Sequence, residues 1–501
     1  MSAARIAQSL TKVALAGAFA AVAMIFVSKL LGPSVGFALL AILFFAILAI
    51  PFAFAHAVEG GLHLARGLTW WHGLWAILLL SGLVFRVRDA SSISAAPIDA
   101  WAAFRIALVS TTGVILCARL FLKRTEWLGA LFRGLLGALT IYAIVCAAST
   151  LWSIYPAWTL YKSVEYLVDV SLLAAVLVTV SSAGEYESLF DWTWALLGGL
   201  LLSAWVGAVL WPEEAFVRAG DLIPVRLSGV IPVMDQNTVG EFAAVLAIVS
   251  MTRLMWAAED HRGRAFYGLL HVLGVVTLVI SQTRVAIVGF LIGALLVLLL
   301  SRRIYVIALL TLAVIVLFSF TRAGELSAAY WQRGEQAREL ESLSGRLDLW
   351  QTAMEELQRR PTTGYGAYAG GRFLVGADVG NTVWPNTLNT YVEVALGTGI
   401  WGLLPLLAGF LGTWGILIRA VVRHEPGTLE YRLALEAIGA FGVISARSFF
   451  SSNLIWHPAL PFFAVLGFAE LMRRNRKRNS FEQTEAWWMK SRAARGPLSP
   501  G

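Results

Sequence analysis

The chain has 501 residues, of which 58% are hydrophobic and only 14% are charged. A soluble domain carries about 25% charged residues, so this chain has too little polar surface to fold in water. Its apolar runs are continuous over about 20 residues, the length with which a helix crosses a membrane, and they do not alternate as barrel strands do. The sequence therefore predicts an all-α, polytopic helical membrane protein and excludes a transmembrane barrel.

The formal net charge is +8, and much of the excess comes from arginine. In a membrane protein basic residues are expected in cytoplasmic loops, so the charge does not indicate a nucleic-acid partner. Cys117 and Cys146 fall in apolar stretches without a metal-binding or redox spacing, and we interpret them as small core residues. No phosphate-binding loop sequence is present, which argues against an ATP-driven transporter. We expect no metal, no cofactor and no nucleic acid.

Hydropathy predicts about 12–14 transmembrane helices. We interpret the first as an uncleaved span rather than a signal peptide, because the run is long and passes into Gly32-Pro33 without a convincing cleavage site. The candidate spans are 8–31, 34–58, 70–87, 99–122, 128–150, 161–181, 189–211, 237–257, 266–281, 283–300, 303–321, 389–421, 430–449 and 458–473.

The orientation follows from the distribution of basic residues. When both termini are placed in the cytoplasm, the arginine-rich loops fall on the cytoplasmic side, as the positive-inside rule requires. The topology then divides the chain into four parts. They are 1–321 with transmembrane helices 1–11, an external loop over 322–388, 389–473 with helices 12–14, and a basic cytoplasmic tail over 474–501.

The external loop is the one long polar stretch between predicted spans. Ser344 is a suitable N-cap and Pro361 cannot continue a helix, so an amphipathic helix is predicted over 344–360. The residues predicted to form its apolar face are Leu347, Trp350, Ala353, Met354 and Leu357. The glycines that follow predict either a turn in close contact with another backbone or a mobile flap. They are Gly364, Gly366, Gly370 and Gly371.

Three arginines are predicted at external helix ends. Arg284 interrupts two very apolar spans with almost no loop, and a charge at that depth usually has a partner or a function. Its guanidinium suits bidentate contact with phosphate, and a snorkelling anchor is the alternative. Arg226 is interpreted either as a lipid-headgroup anchor or as a contact with an anionic lipid-linked substrate. Arg447 lies at the external end of another predicted span.

Two further features belong to the same face. The segment from Trp152 to Trp158 is either an interfacial aromatic belt or a rim on which sugars stack. Of the seven histidines, only His457 is predicted at the external face, where it serves either acid–base chemistry or structure. Both alternatives stay open in each case.

Five short patterns lie in order around the predicted external loop. They are Trp152-Ser153 with Pro156; Arg226-Leu227-Ser228-Gly229 followed by Asn237 and Gly240; Ser281-Gln282-Thr283-Arg284; Ser344-Gly345-Arg346 with Trp350 and Pro361-Thr362-Thr363-Gly364-Tyr365-Gly366; and Asn389-Thr390-Tyr391-Val392-Glu393 with Gly397-Thr398-Gly399-Ile400-Trp401-Gly402. Together they resemble the O-antigen ligase/polymerase superfamily of polytopic glycosyltransferases. Each pattern is weak alone, but their order and spacing from about Leu151 to Leu407 make the resemblance fairly specific.

The resemblance implies a GT-C-like enzyme that moves a glycan from an undecaprenyl-pyrophosphate carrier at the periplasmic face of the bacterial inner membrane, without metal or nucleotide. Arg226 and Arg284 would hold the donor pyrophosphate and stabilise the charge of the leaving group. An inverting displacement also needs a base near the acceptor hydroxyl. The candidate bases are Glu393, Asp348, His457 and Glu241, of which we assign Glu393 and His457 as catalytic. The predicted substrate-binding residues are Arg346, Arg447, Asn237, Trp152, Asn389, Tyr391 and Tyr365.

One position departs from the pattern of the ligases. They carry a histidine directly before the asparagine that matches Asn389, whereas this chain has Leu388. A leucine cannot accept a proton, which favours a polymerase of lipid-linked repeat units over a ligase that transfers glycan to lipid A core or another acceptor.

Other classes of protein remain as alternatives. A transporter or flippase of lipid-linked sugar should show repeated halves and charges near the bilayer midplane, and no repeat is apparent. Another alternative is a membrane protein that binds polysaccharide without catalysing a reaction. Only a measurement of activity distinguishes it from an enzyme. For an enzyme, the expected partners are the lipid-linked glycan donor, a glycan or glycolipid acceptor, membrane lipid, and a chain-length regulator and flippase of the same pathway.

Overall fold

The computed structural model describes residues 33–82, 100–122, 124–219, 222–257, 260–320, 323–332, 345–375, 386–457 and 459–476. Helix makes up about 81% of it and sheet almost none, which confirms the all-α polytopic membrane fold predicted from composition. The predicted span 8–31, the predicted N-cap Ser344 and the tail from residue 477 lie outside the described residues.

Helices follow one another through mostly short connections. They are α1 (Pro33–Arg66), α2 (Trp70–Ser81), α3 (Ala100–Leu122), α4 (Arg124–Leu131), α5 (Gly134–Ala148), α6 (Pro156–Thr179), α7 (Ala183–Leu210), α8 (Pro212–Ala215), α9 (Gln236–Leu254), α10 (His261–Ser281), α11 (Arg284–Leu300), α12 (Ile304–Phe320), α13 (Ala323–Gln332), α14 (Arg346–Arg359), α15 (Thr390–Arg423), α16 (Leu429–Ser448) and α17 (460–476). A 3-10 turn (Ser149–Trp152) precedes α6, and a π-helical turn (Gly370–Val375) lies between α14 and α15. Two antiparallel strands, β1 (Phe216–Arg218) and β2 (Val225–Leu227), separate α8 from α9.

Several helices have the dimensions of membrane spans. Six within the described residues are long and apolar enough to cross a bilayer, namely Leu48–Arg66, Ala100–Arg119, Gly134–Trp152, Ala183–Leu210, His261–Ser281 and Thr390–Arg423. Two further long helices, α6 and α16, carry charged side chains buried inside the bundle, including Glu165 and Glu436. Charged residues of membrane helices usually face the bundle interior in this way.

Glycines bring α9, α11 and α16 into close contact. A Cβ added to Gly293 of α11 would lie 2.6 Å from the carbonyl oxygen of Gly439 in α16, and one added to Gly439 would overlap Ile248 of α9. One turn away, Gly289 lies against Val443. Small residues allow helix backbones to approach closely in a membrane bundle. The N-terminal ends of α9 and α11 therefore lie beside the C-terminal end of α16.

The glycine-rich segment after α14 packs into the bundle. The N–H groups of Tyr365 and Gly366 donate to the carbonyl oxygens of Leu396 and Gly397, at 2.9 and 2.8 Å. Gly366 has a φ of +99°, and a Cβ there would overlap Ser153. Of the two predicted alternatives, the structure shows the turn in close contact with another backbone.

A break in α15 accommodates this segment. Gly399 has a φ of +60° within the helix, and a Cβ there would overlap the carbonyl of Thr362. The N–H of Ile400 donates to the carbonyl oxygen of Pro361 at 3.1 Å, outside its own helix. The kink thus lets the loop that follows α14 lie against the helix backbone.

The predicted helix over 344–360 corresponds to α14, but its predicted apolar face is partly wrong. Leu347 and Met354 are 44% and 46% exposed, whereas Leu349 and Ala353 are fully buried. Leu349 and Ala353 pack in one cluster with Tyr365. The helix is rotated relative to the expectation because its packing partners are the glycine-rich segment and the first turns of α15.

Candidate functional site

Arg226 lies on β2, where it pairs with Val217 of β1. The strand pair places its side chain beside the tight turn between α10 and α11. Its Nε donates a hydrogen bond of 3.1 Å to the carbonyl oxygen of Ser281, the last residue of α10. Carbonyl groups at a helix end lack an intrahelical partner, so this contact satisfies one of them. It brings Arg226 to the turn that leads into Arg284, which is far away in sequence.

The turn between α10 and α11 is held from two sides. Gln282 has a φ of +50°, and its Nε2 donates to the carbonyl oxygens of Ile223 and Val225 at 2.9 and 3.0 Å. The Thr283 hydroxyl donates to the carbonyl oxygen of Gln236 at 2.9 Å. The segment around β2 and the start of α9 therefore fix the conformation of the turn and the direction of α11.

Arg284 is the first residue of α11, whose N-cap residue makes no side-chain cap hydrogen bond. The N–H groups at a helix start and the positive end of its dipole attract anions, and the guanidinium adds a full positive charge. Nη2 of Arg284 donates to the carbonyl oxygen of Gln332 at 3.3 Å. The hydroxyl of Tyr330 donates to the carbonyl oxygen of Val279 at 2.9 Å. The helix α13 therefore lies over this turn.

Arg447 lies at the end of α16 and forms an ion pair with Glu241 of α9. Its Nε lies 3.1 Å from Glu241 Oε2, and Nδ2 of Asn453 donates to Oε1 at 2.8 Å. Arg447 is only 5% exposed. Both carboxylate oxygens are therefore held in a fixed orientation.

Helix register places Glu241, Arg284 and Arg447 at the same level of the bundle. α11 and α16 run antiparallel, with Gly289 against Val443. From that contact, little more than one helical turn toward the shared end reaches Arg284 on one helix and Arg447 on the other. Glu241 belongs to this level through its ion pair with Arg447. We call the group the arginine site; its members are Arg226, Glu241, Arg284 and Arg447.

The start of α15 holds two of the predicted substrate-binding residues. Asn389 is the N-cap, and its Oδ1 accepts from the N–H groups of Tyr391 and Val392 at 2.9 and 3.1 Å. Its Nδ2 donates to the carbonyl oxygen of Phe449 at 3.1 Å. The Tyr391 hydroxyl lies 3.0 Å from Ser448 Oγ. Both side chains thus connect α15 to the end of α16.

Leu388 occupies the position at which the ligases carry histidine. It has a φ of +51°, in the left-handed region that is uncommon for leucine. The backbone thus adopts an unusual conformation at this position. Unlike the histidine of the ligases, the leucine side chain cannot accept a proton.

Glu393 follows in the first turn of α15 and is 1% exposed. Its Oε2 accepts the N–H of Thr387 at 2.9 Å, and Oε1 has no hydrogen-bond partner within the described residues. A Cβ added to Gly371 would overlap this carboxylate. Glu393 is therefore enclosed between α15 and the glycine-rich segment.

His457 is buried, and both of its ring nitrogens have partners. Nδ1 lies 2.8 Å from both carboxylate oxygens of Asp169 in α6, and Nε2 lies 2.8 Å from the hydroxyl of Ser81 at the end of α2. Asp169 and Ser81 are fully buried. His457 therefore connects the segment after α16 to α2 and α6.

A buried ion cluster beside His457 was missed by the sequence analysis. Nε and Nη2 of Arg105 donate to the two oxygens of Glu165 at 2.6 and 2.9 Å, and Lys162 donates to Glu165 at 2.7 Å. Arg105 also donates to the carbonyl oxygen of His457 at 3.3 Å. The signal was present in the sequence, because Lys162, Glu165 and Asp169 are charges at helical spacing within one predicted span.

Three other predicted residues lie around α14 and the glycine-rich segment. Trp152 Nε1 donates to the carbonyl oxygen of Thr363 at 2.9 Å, so this tryptophan contacts the segment directly. The hydroxyl of Tyr365 donates to a carboxylate of α14 at 3.0 Å. Burial, together with this hydrogen bond, raises the pKa of Tyr365 above its usual value. The Arg346 guanidinium lies 5.8 Å from the ring of Phe450.

The structure thus brings some predicted residues together and separates others. Arg226, Arg284 and Arg447 share the arginine site, and Asn237 lies half-buried about one turn before Glu241 on α9. The remaining predicted residues lie near α14, at the start of α15 or in the His457 cluster. Within the part of the chain that the structure describes, no group of three or more His, Cys, Asp or Glu residues could hold a metal ion.

The fold and the arginine site define a polytopic membrane protein with arginines converging at one end of its helix bundle. A family model described as O-antigen ligase matches residues 269–407, which include Arg284, α14 and the start of α15. This part of the chain is therefore similar to the O-antigen ligase family. The match indicates a polysaccharide-related, glycosyltransferase-like membrane enzyme. No curated protein matches the chain.

Proposed function

We propose that the protein is a glycosyltransferase that polymerises undecaprenyl-pyrophosphate-linked oligosaccharide repeat units at the periplasmic face of the bacterial inner membrane. The observation that carries the proposal is the hydrogen bond from Arg226 to the carbonyl of Ser281, three residues before Arg284. This hydrogen bond holds Arg226 at the turn before α11, so two permanently charged side chains of a type suited to binding phosphate lie near the uncapped start of one apolar helix. A lipid-linked pyrophosphate matches this combination, since its lipid can lie against the apolar helices while its charge meets the arginines.

In this proposal Arg226 and Arg284 bind the donor pyrophosphate together with the first N–H groups of α11. Bond cleavage between the anomeric carbon and the pyrophosphate leaves negative charge on the leaving oxygen. Preorganised guanidinium and N–H donors stabilise this charge more in the transition state than in the bound substrate. The free-energy barrier to transfer is lowered as a result. The contacts of the turn with Gln282 and Thr283 keep these donors in place before the substrate binds.

The Glu241–Arg447 pair is proposed to act on the acceptor. Attack on the anomeric carbon requires a hydroxyl that is oriented and gives up its proton as the new bond forms. Glu241 is 15% exposed at its side chain and lies at the level of Arg284, so it can be approached from the arginine site. Glu393, at 1% exposure, and His457, with both nitrogens engaged, are less accessible in this conformation. Their catalytic roles stay predictions.

Purified protein supplied with an undecaprenyl-pyrophosphate oligosaccharide tests the proposal through release of the carrier and lengthening of the glycan. Arg226→Ala and Arg284→Ala should each lower the rate by on the order of 100-fold. Arg218→Ala is the matched control, because Arg218 is an exposed arginine on the neighbouring strand β1. Full activity in both arginine-site variants would overturn the donor assignment.

A ligase is the second candidate, and the description of the matching family model favours it. Leu388 favours the polymerase, because it removes the histidine expected of a ligase from the start of α15. Loss of the protein in its native cell separates the two. Glycan of a single repeat unit supports the polymerase, whereas full-length polymer that stays unattached supports the ligase.

A further inference from the structure

A basic cavity opens at the end of the bundle opposite to the arginine site. α15 runs from Asn389, near the arginine site, to Arg423 at the cavity, and α7 begins at the cavity with Ala183. The cavity has a volume of about 840 Å³. This is within the range of sites that hold a small organic ligand, and much larger than a single ion requires.

Positive charge dominates the cavity lining, with four arginines and one carboxylate, Glu430. Arg473 is already paired with Glu470, at 2.6 Å. The side chains of Arg419, Arg423 and Arg476 are exposed and form no ion pair within the described residues. Three guanidinium groups therefore line the cavity, with Glu430 as the single carboxylate against them.

The remaining lining residues suit a ligand with a polar head and an apolar body. Ser181, Ser182 and Asn475 offer hydrogen-bonding groups, whereas Ile416 and Met472 offer apolar surface. Arginine binds phosphate through paired N–H groups and keeps its charge at any physiological pH. Basic pockets between membrane helices commonly bind anionic lipid headgroups.

We propose that this cavity binds a phosphate-bearing anion, through Arg419, Arg423 and Arg476. The phosphate belongs either to the headgroup of an anionic phospholipid, whose acyl chains would pass along the exposed apolar helices, or to a soluble phosphorylated compound. The proposal does not depend on the function of the arginine site, because the two sites lie at opposite ends of the bundle and share no residue.

Native mass spectrometry of the full chain in detergent tests the lipid source. The protein is titrated with phosphatidylglycerol or with phosphatidylcholine, and retained lipid is counted. The cavity variant combines Arg419→Gln and Arg423→Gln. The control combines Arg264→Gln and Arg302→Gln, which removes the same charge from exposed arginines at the same end of the bundle. We expect the wild type and the control to retain phosphatidylglycerol preferentially, and the cavity variant to retain at least about fivefold less.

A second measurement tests the soluble source. Inorganic phosphate at millimolar concentration should raise the thermal unfolding midpoint of the wild type and the control but not that of the cavity variant. Either the lipid result or the phosphate result supports the proposal and identifies the source. The proposal is overturned if the wild type and the cavity variant behave equally in both measurements. It is also overturned if the control loses lipid retention and the phosphate response as much as the cavity variant does, because that result would indicate a general effect of surface charge.

Discussion

The carboxylate of Glu241 lies 3.1 Å from the guanidinium of Arg447, and Asn453 donates to its second oxygen. The ion pair joins the start of α9 to the end of α16 at the level of Arg284. An oriented carboxylate beside two arginines suits the proposed glycosyl transfer, because donor and acceptor groups must meet in a defined geometry.

Glu241→Gln removes the charge of this carboxylate and nearly preserves its shape. We expect the rate of transfer per folded protein to fall on the order of 100-fold, the usual contribution of a positioned general base. The assay is run on the monodisperse fraction, because Arg447 also loses its partner. Glu213→Gln, at an exposed carboxylate after α7, should keep the wild-type rate. A wild-type rate in Glu241→Gln would limit this residue to a structural role.

The donor arginines should not be replaceable by lysine. A lysine keeps the charge but loses the planar pair of N–H donors that binds phosphate. Arg226→Lys and Arg284→Lys should therefore lower kcat/KM for the lipid-linked donor at least about tenfold, whereas Arg218→Lys should leave it unchanged. If both lysine variants match the wild type, charge alone explains the site and bidentate binding is not used.

The contact of Gly366 with Ser153 gives a test of the glycine-rich segment. Gly366 and Gly427 have almost the same φ, +99° and +101°. A Cβ at Gly366 would overlap Ser153, whereas a Cβ at Gly427 would have no neighbouring atom within 4 Å among the described residues. Gly427→Ala should therefore cost only the backbone strain, about 1–3 kcal/mol. Gly366→Ala should lower the thermal unfolding midpoint further and reduce transfer. Equal midpoints in the two variants would mean that the close packing does not stabilise the protein.

The sequence predicted the features that depend on local pattern. Apolar runs define helices whatever their neighbours are, so the helical membrane fold was predicted from composition. The tight turn before Arg284 was also predicted, because a charge between two apolar runs can only lie at a boundary. The amphipathic period of α14 was recognised, but not its buried face, since Leu349 is buried by a segment that tertiary packing brings to it.

The partners of the charged residues were not predictable in the same way. Arg105 and Glu165 lie on different helices, and only the fold shows that they form a buried pair. The same holds for the hydrogen bond from Arg226 to Ser281, since short patterns indicate which residues matter but not which atoms meet. His457 was singled out among the histidines by its place in the predicted topology, but its contacts with Asp169 and Ser81 depend on three separate segments.

His457 can be tested for structure against catalysis. His457→Phe leaves the buried carboxylate of Asp169 without its ring N–H donor. The free energy of unfolding should therefore fall by about 1–3 kcal/mol. His457→Gln restores an N–H donor and should recover part of the stability. Because both ring nitrogens are engaged within the protein, we expect the folded fraction of either variant to keep most of its transfer activity. Loss of activity without loss of stability would instead support the catalytic hypothesis.

The orientation of the chain is testable at two exposed carboxylates. Glu355 lies on α14, and Glu425 follows α15 at the opposite end of the bundle, beside the basic cavity. In a chain with Cys117→Ala and Cys146→Ala, a cysteine at 355 should react in intact spheroplasts with a membrane-impermeant maleimide. A cysteine at 425 should react only after the membrane is opened. The positive-inside rule places the end of the bundle with the basic cavity in the cytoplasm. The reverse labelling pattern would place the arginine site in the cytoplasm, where a periplasmic polymerase could not meet its substrates.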